Sequence, residues 1–375
     1  MKALRVMYVL PSARRGVAER LALEMLSLHD PALVAPSVCF LEEGPMVGEC
    51  ADRLGFATAV LTTPRRGWFG RRRVVTDLAA HCRALGIRLV HSLGTAGHLV
   101  GGRAARKVGV PSVWSQLEAP SWRRGRDIAA ALVKTRAIIA HAPSVKLAQE
   151  RVNPRRAKCV LFPAGTRLPH DPVATRRGRG RAAMGLGEDV FAVGVFGPIT
   201  PAAGHDVVLR AGASLCHGRP AAQILIAGLA EPGALPGSVA ALKAQAVALG
   251  IGARVRFLER ARDPENMVAA CDVIVDAALE ARELPLAVIE AMASGVATLA
   301  SDHPTVRELV TGGVEAILTE PGDHEALALA LLALCDDPEQ RAALGAAGEA
   351  AARERFDAER MTRRIEALYR DVAAA

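Results

Sequence analysis

Glu290 lies in the stretch LPLAVIEAMASG (284–295), where a carboxylate is out of keeping with its neighbours. Pro285 suits a first helical turn, Leu286, Ile289, Met292 and Ala293 fall on one apolar stripe, and Gly295 suits the stop. Burying a carboxylate among such residues is costly unless something binds it. Arg282 stands just before this helix between Glu280 and Glu283, so it is either a ligand-binding cation or a partner for those acids. His91 ends the apolar run RLVHSLG (88–94) and is a candidate catalytic group, a satisfied core histidine being the commoner outcome. Arg14 and Arg15 precede Gly16 in the turn before the first helical segment and offer cationic charge to a phosphate; their bland role is a solvated loop. A further cluster, RRGWFGRRR (65–73), sets Arg65, Arg66, Arg71, Arg72 and Arg73 around Trp68 and Phe69. Its composition suits anionic lipid headgroups with aromatics at the interface, or simply a solvated basic loop. PSWRRGRD (120–127) is a second basic-aromatic loop in the same half of the chain. Neither cluster has the stacking-platform pattern of an RNA module, so no nucleic-acid partner is expected.

These residues need a scaffold, and the hydropathy pattern supplies one. Strand-like runs such as LRVMYVL (4–10), VFAVGVFG (190–197), QILIAGLA (223–230) and CDVIVDA (271–277) alternate with helical segments. That alternation predicts an α/β protein with parallel sheets covered on both faces. The 375 residues suffice for two domains. The Pro-, Gly- and Arg-rich stretch between the two strand series reads as a linker at 169–187, separating residues 1–168 from residues 188–355; an amphipathic helix covers 356–375. The N-terminal MKALRVMYVLPSARRG reads as a strand rather than a signal peptide, and no apolar run is long enough to span a membrane. Seven scattered cysteines without a C-x-x-C pair suit a reducing, cytoplasmic setting and no zinc site. The formal charge of +8 favours anionic partners.

The order and spacing of VFAVGVFG, GHDVVLRAGASL (204–215), RVRFLERARDPENMVAACDVIV (254–275), LPLAVIEAMASGVATLAS (284–301) and VRELV (306–310) resemble the retaining GT-B glycosyltransferases of family 4, the group 1 glycosyltransferases. The resemblance implies two doubly wound Rossmann-like domains facing one cleft, with the C-terminal helix returning toward the N-terminal domain. It implies an acceptor-side N-terminal domain and a C-terminal domain for a UDP- or GDP-linked sugar. The reaction implied is metal-independent transfer to an acceptor hydroxyl with retention, with no further cofactor. Glu290 matches the family's ribose-binding glutamate. Gly16, Gly197, Ser301, Asp302, His303 and Glu308 fall where the family contacts the donor, and Glu19 and Arg20 match its first helix start.

Four positions depart from the family pattern. Arg282 occupies the place of a sugar-binding glutamate, with Glu283 beside it at the wrong offset. Pro198 and Ala203 occupy the places of two diphosphate-binding cations, and Leu117 that of a histidine. Losing a group that stabilises transition-state charge costs roughly 3–4 kcal/mol. Arg14, Arg15 and Arg282 are the candidates to replace the phosphate cations, and His91, Arg282 and Glu283 the catalytic candidates. The expected partners are a nucleotide sugar and a glycan, lipid-linked or small-molecule acceptor, with an anionic membrane surface and a partner glycosyltransferase as further expectations. The alternative is a catalytically degenerate homologue that serves as a binding or scaffold subunit of a glycan-assembly complex.

Overall fold

The structure is a computed structural model and describes residues 3–14, 16–62, 68–197, 199–228, 238–258, 264–280 and 284–374. The chain divides into two compact units: Met1–Thr166 with Asp357–Ala375, and Arg167–Phe356.

Unit 1 is built on β1 (Leu4–Leu10), β2 (Val34–Phe40), β3 (Ala57–Val60), β4 (Leu89–Leu93), β5 (Ser112–Gln116), β6 (Ala137–Ala140) and β7 (Lys158–Leu161). These strands lie in the order β3-β2-β1-β4-β5-β6-β7, and every neighbouring pair is parallel. Helices α1 (Val17–Leu28), α2 (Trp68–Ala84) and α3 (Gly94–Val108) are among its crossovers. Because helices cover both faces, the central strands are continuous apolar runs rather than alternating ones. Small residues bring α3 down onto the sheet: a Cβ on Gly97 would fall 2.7 Å from the Val9 carbonyl oxygen.

Unit 2 repeats the plan with β8 (Phe191–Phe196), β9 (Ala222–Ala227), β10 (Val255–Leu258), β11 (Val273–Asp276), β12 (Ala297–Ser301) and β13 (Ile317–Thr319), in the order β10-β9-β8-β11-β12-β13. The helices that matter here are α4 (Val173–Met184), α5 (His205–Gly218), α6 (Pro264–Ala269), α7 (Leu286–Ala293), α8 (Pro304–Arg307), α9 (His324–Asp336) and α10 (Pro338–Arg355). Val193, Ile224, Val275 and Leu299 from the sheet pack with Leu209 of α5 and Leu331 of α9 in one apolar core.

The stretch 169–187, expected as a linker, holds α4, and Arg176, Arg177 and Arg181 brace unit 2, while Arg179 stays exposed. Arg176 donates to the Ser294 carbonyl, Arg177 pairs with Asp272 at 2.7 Å, and the buried Arg181 donates to the carbonyls of Ala270 and Val190. Gly180 allows the packing, since a Cβ there would lie 1.9 Å from the Asn266 carbonyl oxygen. An Arg- and Gly-rich composition looks like linker because the Ser294, Ala270 and Asp272 acceptors come from residues far along the chain.

After α10 the chain rejoins unit 1. A bridge between Thr166 and Asp357 and a 3.1 Å bond from Ala358 N to the Thr166 carbonyl lead into α11 (Ala358–Ala374). Met361, Ile365, Leu368, Tyr369 and Val372 form its buried stripe, and burying each of the Met, Ile and Leu side chains contributes about 1.5–3 kcal/mol.

Candidate functional site

In an open parallel α/β sheet, ligands bind beyond the carboxyl ends of the strands, near the point where strand order reverses. In unit 2 that point lies between β8 and β11. β8 leaves the sheet through Gly197, at φ +148°, whose N–H donates to the Ala227 carbonyl at 3.1 Å. Gly228 then passes so close that a Cβ on it would sit 1.7 Å from the Gly197 carbonyl oxygen. A short turn, Pro201–Ala203, leads to Gly204 at φ +69°, the residue that opens α5. A Cβ on Gly204 would lie 1.9 Å from the Ala277 carbonyl oxygen, and Leu279 N donates to the Ala202 carbonyl at 2.8 Å. The start of α5 is therefore locked against the end of β11. Its first-turn amides, at the positive end of the helix dipole, lie on the ligand side of the sheet.

Asp276 ends β11. Burial raises its pKa, opposed by a hydrogen bond from Ala278 N and by the nearby His303. His303 donates from Nε2 to the Ala278 carbonyl at 2.8 Å, which joins the end of β12 to the end of β11. Ser301 is buried at the last position of β12, and Asp302 N donates to the Thr319 carbonyl at 2.8 Å. The Asp302 carboxylate takes two 2.5 Å bonds from Arg307, which hold its pKa below the ordinary value. Ser301, Asp302 and His303 are thus drawn together with Asp276–Ala278, while Arg307 already neutralises Asp302. Glu308 follows α8 and is half-buried. Glu290 is also half-buried, on an α7 whose Leu286, Val288, Ile289, Met292 and Ala293 are buried.

Unit 1 presents a second ligand-side turn, between β1 and α1. Gly16 is exposed and extended at φ −86°, and Arg14 is exposed. Glu19 does more here than favour the helix dipole. Its carboxylate is buried and accepts from Ser12 N at 3.1 Å and Ser12 Oγ at 3.0 Å, closing the turn. Burial raises its pKa, and these hydrogen bonds oppose the rise.

His91 is corrected by the structure as a catalytic candidate. It has 0% exposure, and its ring is held between Tyr369 OH at 2.5 Å and Ser115 Oγ at 2.8 Å. Burial, with His141 and His29 nearby, pushes its pKa well below the ordinary value. It lies within β4 with no exposed surface, and both ring nitrogens are engaged within unit 1. Leu117 is buried. Of the basic-aromatic cluster, Trp68, Phe69 and Arg71 fall in the first turn of α2, while Arg72 and Arg73 are exposed beyond it, Arg73 lying 3.8 Å from Asp77. In the second basic loop Trp122 is 52% exposed, but Arg124 and Arg126 pair with Glu118 and Asp127. Arg15, Arg65, Arg66, Pro198, Arg282 and Glu283 lie outside the described residues.

Two residues at the unit 2 edge were not singled out in the sequence. Asp276 is one; a lone acid terminating the apolar run VIVD was its only signal. His205, first in α5, is the other: both ring nitrogens are buried without a hydrogen-bond partner among the described residues, and burial lowers its pKa to about 4. Among the described residues no three His, Cys, Asp or Glu side chains come together as a metal-ligand group. Among the same residues no helix is long and apolar enough to cross a membrane.

Residues 179–351 match the family described as glycosyl transferases group 1. Among curated proteins, the chain is 30% identical over 190 residues to a GDP-mannose-dependent monoacylated alpha-(1-6)-phosphatidylinositol monomannoside mannosyltransferase of Corynebacterium glutamicum, covering 48% of this chain and 46% of that one. It is 30% identical over 191 residues to the lipopolysaccharide core biosynthesis mannosyltransferase LpsB of Rhizobium meliloti, covering 50% and 54%. The chain thus spans about half the length of the curated relatives it matches. Among solved structures, Anabaena Alr3699/HepE in complex with UDP and glucose superposes with a TM-score of 0.83 at 21% identity, covering 98% of this chain and 99% of that one. Sucrose-phosphate synthase of Thermosynechococcus elongatus superposes at 0.79 and 20% identity, covering 99% of each. The fold is GT-B: two Rossmann-like parallel-sheet units, the last helix rejoining the first.

Proposed function

From the membership of residues 179–351 in the group 1 glycosyl transferases, we propose that the protein transfers a sugar from a nucleotide diphosphate sugar to an acceptor hydroxyl. The observation that carries this reading is that Glu290, the 301–303 turn and Glu308 all lie inside the matched segment, with Gly197 and Gly204 shaping the same carboxyl edge. In the proposed reaction Glu290 accepts hydrogen bonds from the two ribose hydroxyls, a pairing that suits a carboxylate. The diphosphate lies against the first-turn amides of α5, with Gly16, Arg14 and Arg15 as the further residues assigned to it. Ser301, Asp302, His303 and Glu308 flank the sugar. The acceptor hydroxyl attacks on the face from which the diphosphate departs, a leaving-group oxygen takes its proton, and configuration is retained. No metal enters this scheme, so charge on the departing diphosphate falls to amides and arginines, Arg282 included. The acceptor is a glycan, a lipid-linked sugar or a small molecule met by unit 1, at an anionic membrane surface if the 65–73 cluster serves it.

A specific feature favours a second reading. Ala203 is uncharged where a phosphate cation is expected, and Arg307 is committed to Asp302. That pattern suits a degenerate homologue that scaffolds an active glycosyltransferase. Calorimetric titration with UDP, GDP and their sugar conjugates separates the two. Binding of one nucleotide, weakened in Glu290→Ala, supports transfer and identifies the base. No binding of any of them at millimolar concentration leaves the scaffold reading standing.

A further inference from the structure

Both tyrosines of the sequence, Tyr8 and Tyr369, lie buried in unit 1 within one unbroken chain of hydrogen bonds. It begins at the Phe162 carbonyl, 2.9 Å from His141 Nδ1, and continues from His141 Nε2 to Ser115 Oγ at 3.1 Å. Ser115 Oγ lies 2.8 Å from His91 Nε2, and His91 Nδ1 lies 2.5 Å from Tyr369 OH. Tyr369 OH meets Tyr8 OH at 2.7 Å, Tyr8 OH meets His29 Nε2 at 2.7 Å, and His29 Nδ1 ends the chain on Glu366 Oε1 at 2.9 Å. The same carboxylate oxygen accepts from Asp30 N at 2.9 Å.

A proton count constrains this chain. Both its ends are acceptors: the Phe162 carbonyl, and a carboxylate oxygen that also takes a backbone N–H. Seven contacts separate them, and each needs one hydrogen. Three neutral imidazoles and three hydroxyls supply six. With neutral rings one contact would set lone pair against lone pair in a buried site, where an unmade hydrogen bond is costly. Reversing every donor only moves the deficit to His141, which has no carboxylate beside it.

We propose that unit 1 holds one extra proton in this chain, with His29 doubly protonated between Tyr8 and the Glu366 carboxylate, and that this proton locks α11 in place. Burial is the larger influence on His29 and lowers its pKa, while hydrogen bonding and charge from Glu366 oppose it; the charge follows instead from the empty seventh contact, which only an added proton fills. Around the chain, β1 carries the charged residue Arg5, α1 carries Glu19, Arg20 and Glu24, and Asp30 follows it. β4 contributes His91 itself, β5 and β6 carry no charged side chain, and α11 adds Glu359, Arg360, Arg363, Arg364, Arg370 and Asp371. The lock unites β1, the end of α1, β4 and β5 with the helix that rejoins unit 1 after the chain has formed unit 2, and no sugar chemistry requires it. Its sign follows from linkage. An unfolded histidine, with a pKa of about 6.5, is neutral above pH 7. The folded chain keeps its proton there, so docking α11 takes up a proton and stability falls as pH rises.

Tyr369→Phe tests the count. Without that hydroxyl the chain breaks into two pieces, each satisfied by neutral groups, so the extra proton is no longer needed. All three tryptophans, Trp68, Trp114 and Trp122, belong to unit 1, so fluorescence during denaturant unfolding reports this unit. Between pH 7 and 9 the wild-type unfolding constant should rise, relative to that of Tyr369→Phe, by up to tenfold per pH unit, the value for one proton. Buried thiols contribute equally to both proteins and cancel in the ratio. Parallel profiles would overturn the proposal. Should the variant not fold, side-chain nitrogen NMR of the wild type at pH 8 decides: two protonated nitrogens on His29 sustain it, and a singly protonated His29 ring refutes it.

Discussion

The two units share one strand order, yet they place polar groups in opposite ways. In unit 1, Tyr8 stands opposite His91 at the centre of the sheet, and both are wholly buried. In unit 2, Gly194 stands opposite Ile274 between the corresponding central strands, and polarity moves to the sheet margins. Asp272 binds Arg177 and Arg181 at the amino edge, while Asp276, Ser301 and His303 gather at the carboxyl edge. One sheet spends its polar side chains on internal cohesion. The other keeps an apolar centre and leaves them where a ligand can arrive. Shared topology therefore does not imply shared chemistry, because strand order decides where loops emerge and not which side chains face them.

Acid should break the comparison most strongly. Among the described residues, and setting aside His29 of the hydrogen-bond chain, His91, His98 and His141 of unit 1 have pKa values depressed by burial, His98 to about 3 and His141 to about 4, against His205, at about 4, in unit 2. A histidine whose folded pKa is lowered takes its proton in the unfolded state first, so its contribution is complete above pH 6.5 and is lost as pH falls. Three such groups against one predict unfolding constants that rise by up to roughly a thousandfold per pH unit in unit 1 and tenfold in unit 2. Tryptophan fluorescence for unit 1 and hydrogen exchange for unit 2, followed from pH 6.5 to 4, check this; simultaneous loss of both units would contradict it.

Gly204→Ala comes next. The added methyl meets the Ala277 carbonyl in a left-handed backbone conformation, and should destabilise unit 2 by about 3 kcal/mol while sparing unit 1. Domain-resolved hydrogen exchange reads the difference. Glu290→Ala sharpens the functional side. Loss of hydrogen bonds to a charged group should weaken nucleotide binding by about 2 kcal/mol, roughly thirtyfold, with the tryptophan-detected transition unmoved. Equal binding by both proteins in calorimetry would remove Glu290 from the site. The smallest effect is expected for Arg307→Ala, which should let the half-buried Asp302 titrate closer to its ordinary pKa, read by carboxyl-carbon NMR.

Legibility differed between the units for the same reason. Glu290, Ser301, Asp302, His303 and Glu308 sit on local patterns, a Pro-opened apolar helix and a strand-end turn, that can be read within a dozen residues. Asp276 and His205 were passed over because one strand-ending acid or one histidine is unremarkable until burial is known. His91 looked available because a strand end suggests an open edge; what closes over it is Tyr369, 278 positions away. The arginines of α4 looked like linker for a similar reason, since their Ser294, Cys271 and Ala270 acceptors lie roughly 90 to 120 positions downstream.

Taken by itself, the sequence determined the alternation of apolar strands and helices, hence two parallel sheets, and the carboxylate that interrupts an apolar helix. Those depend on periodicity and local cost, which act over neighbouring residues. The return of the last helix to unit 1 was already implied by the family resemblance; only the tertiary structure decided which groups hold it there, that α4 is a buttress, and that His91 is a buried link in a hydrogen-bond chain. These depend on which donors and acceptors meet after the chain closes. Hydrogen-bond satisfaction is counted over the whole fold and has no signature in any short window of residues.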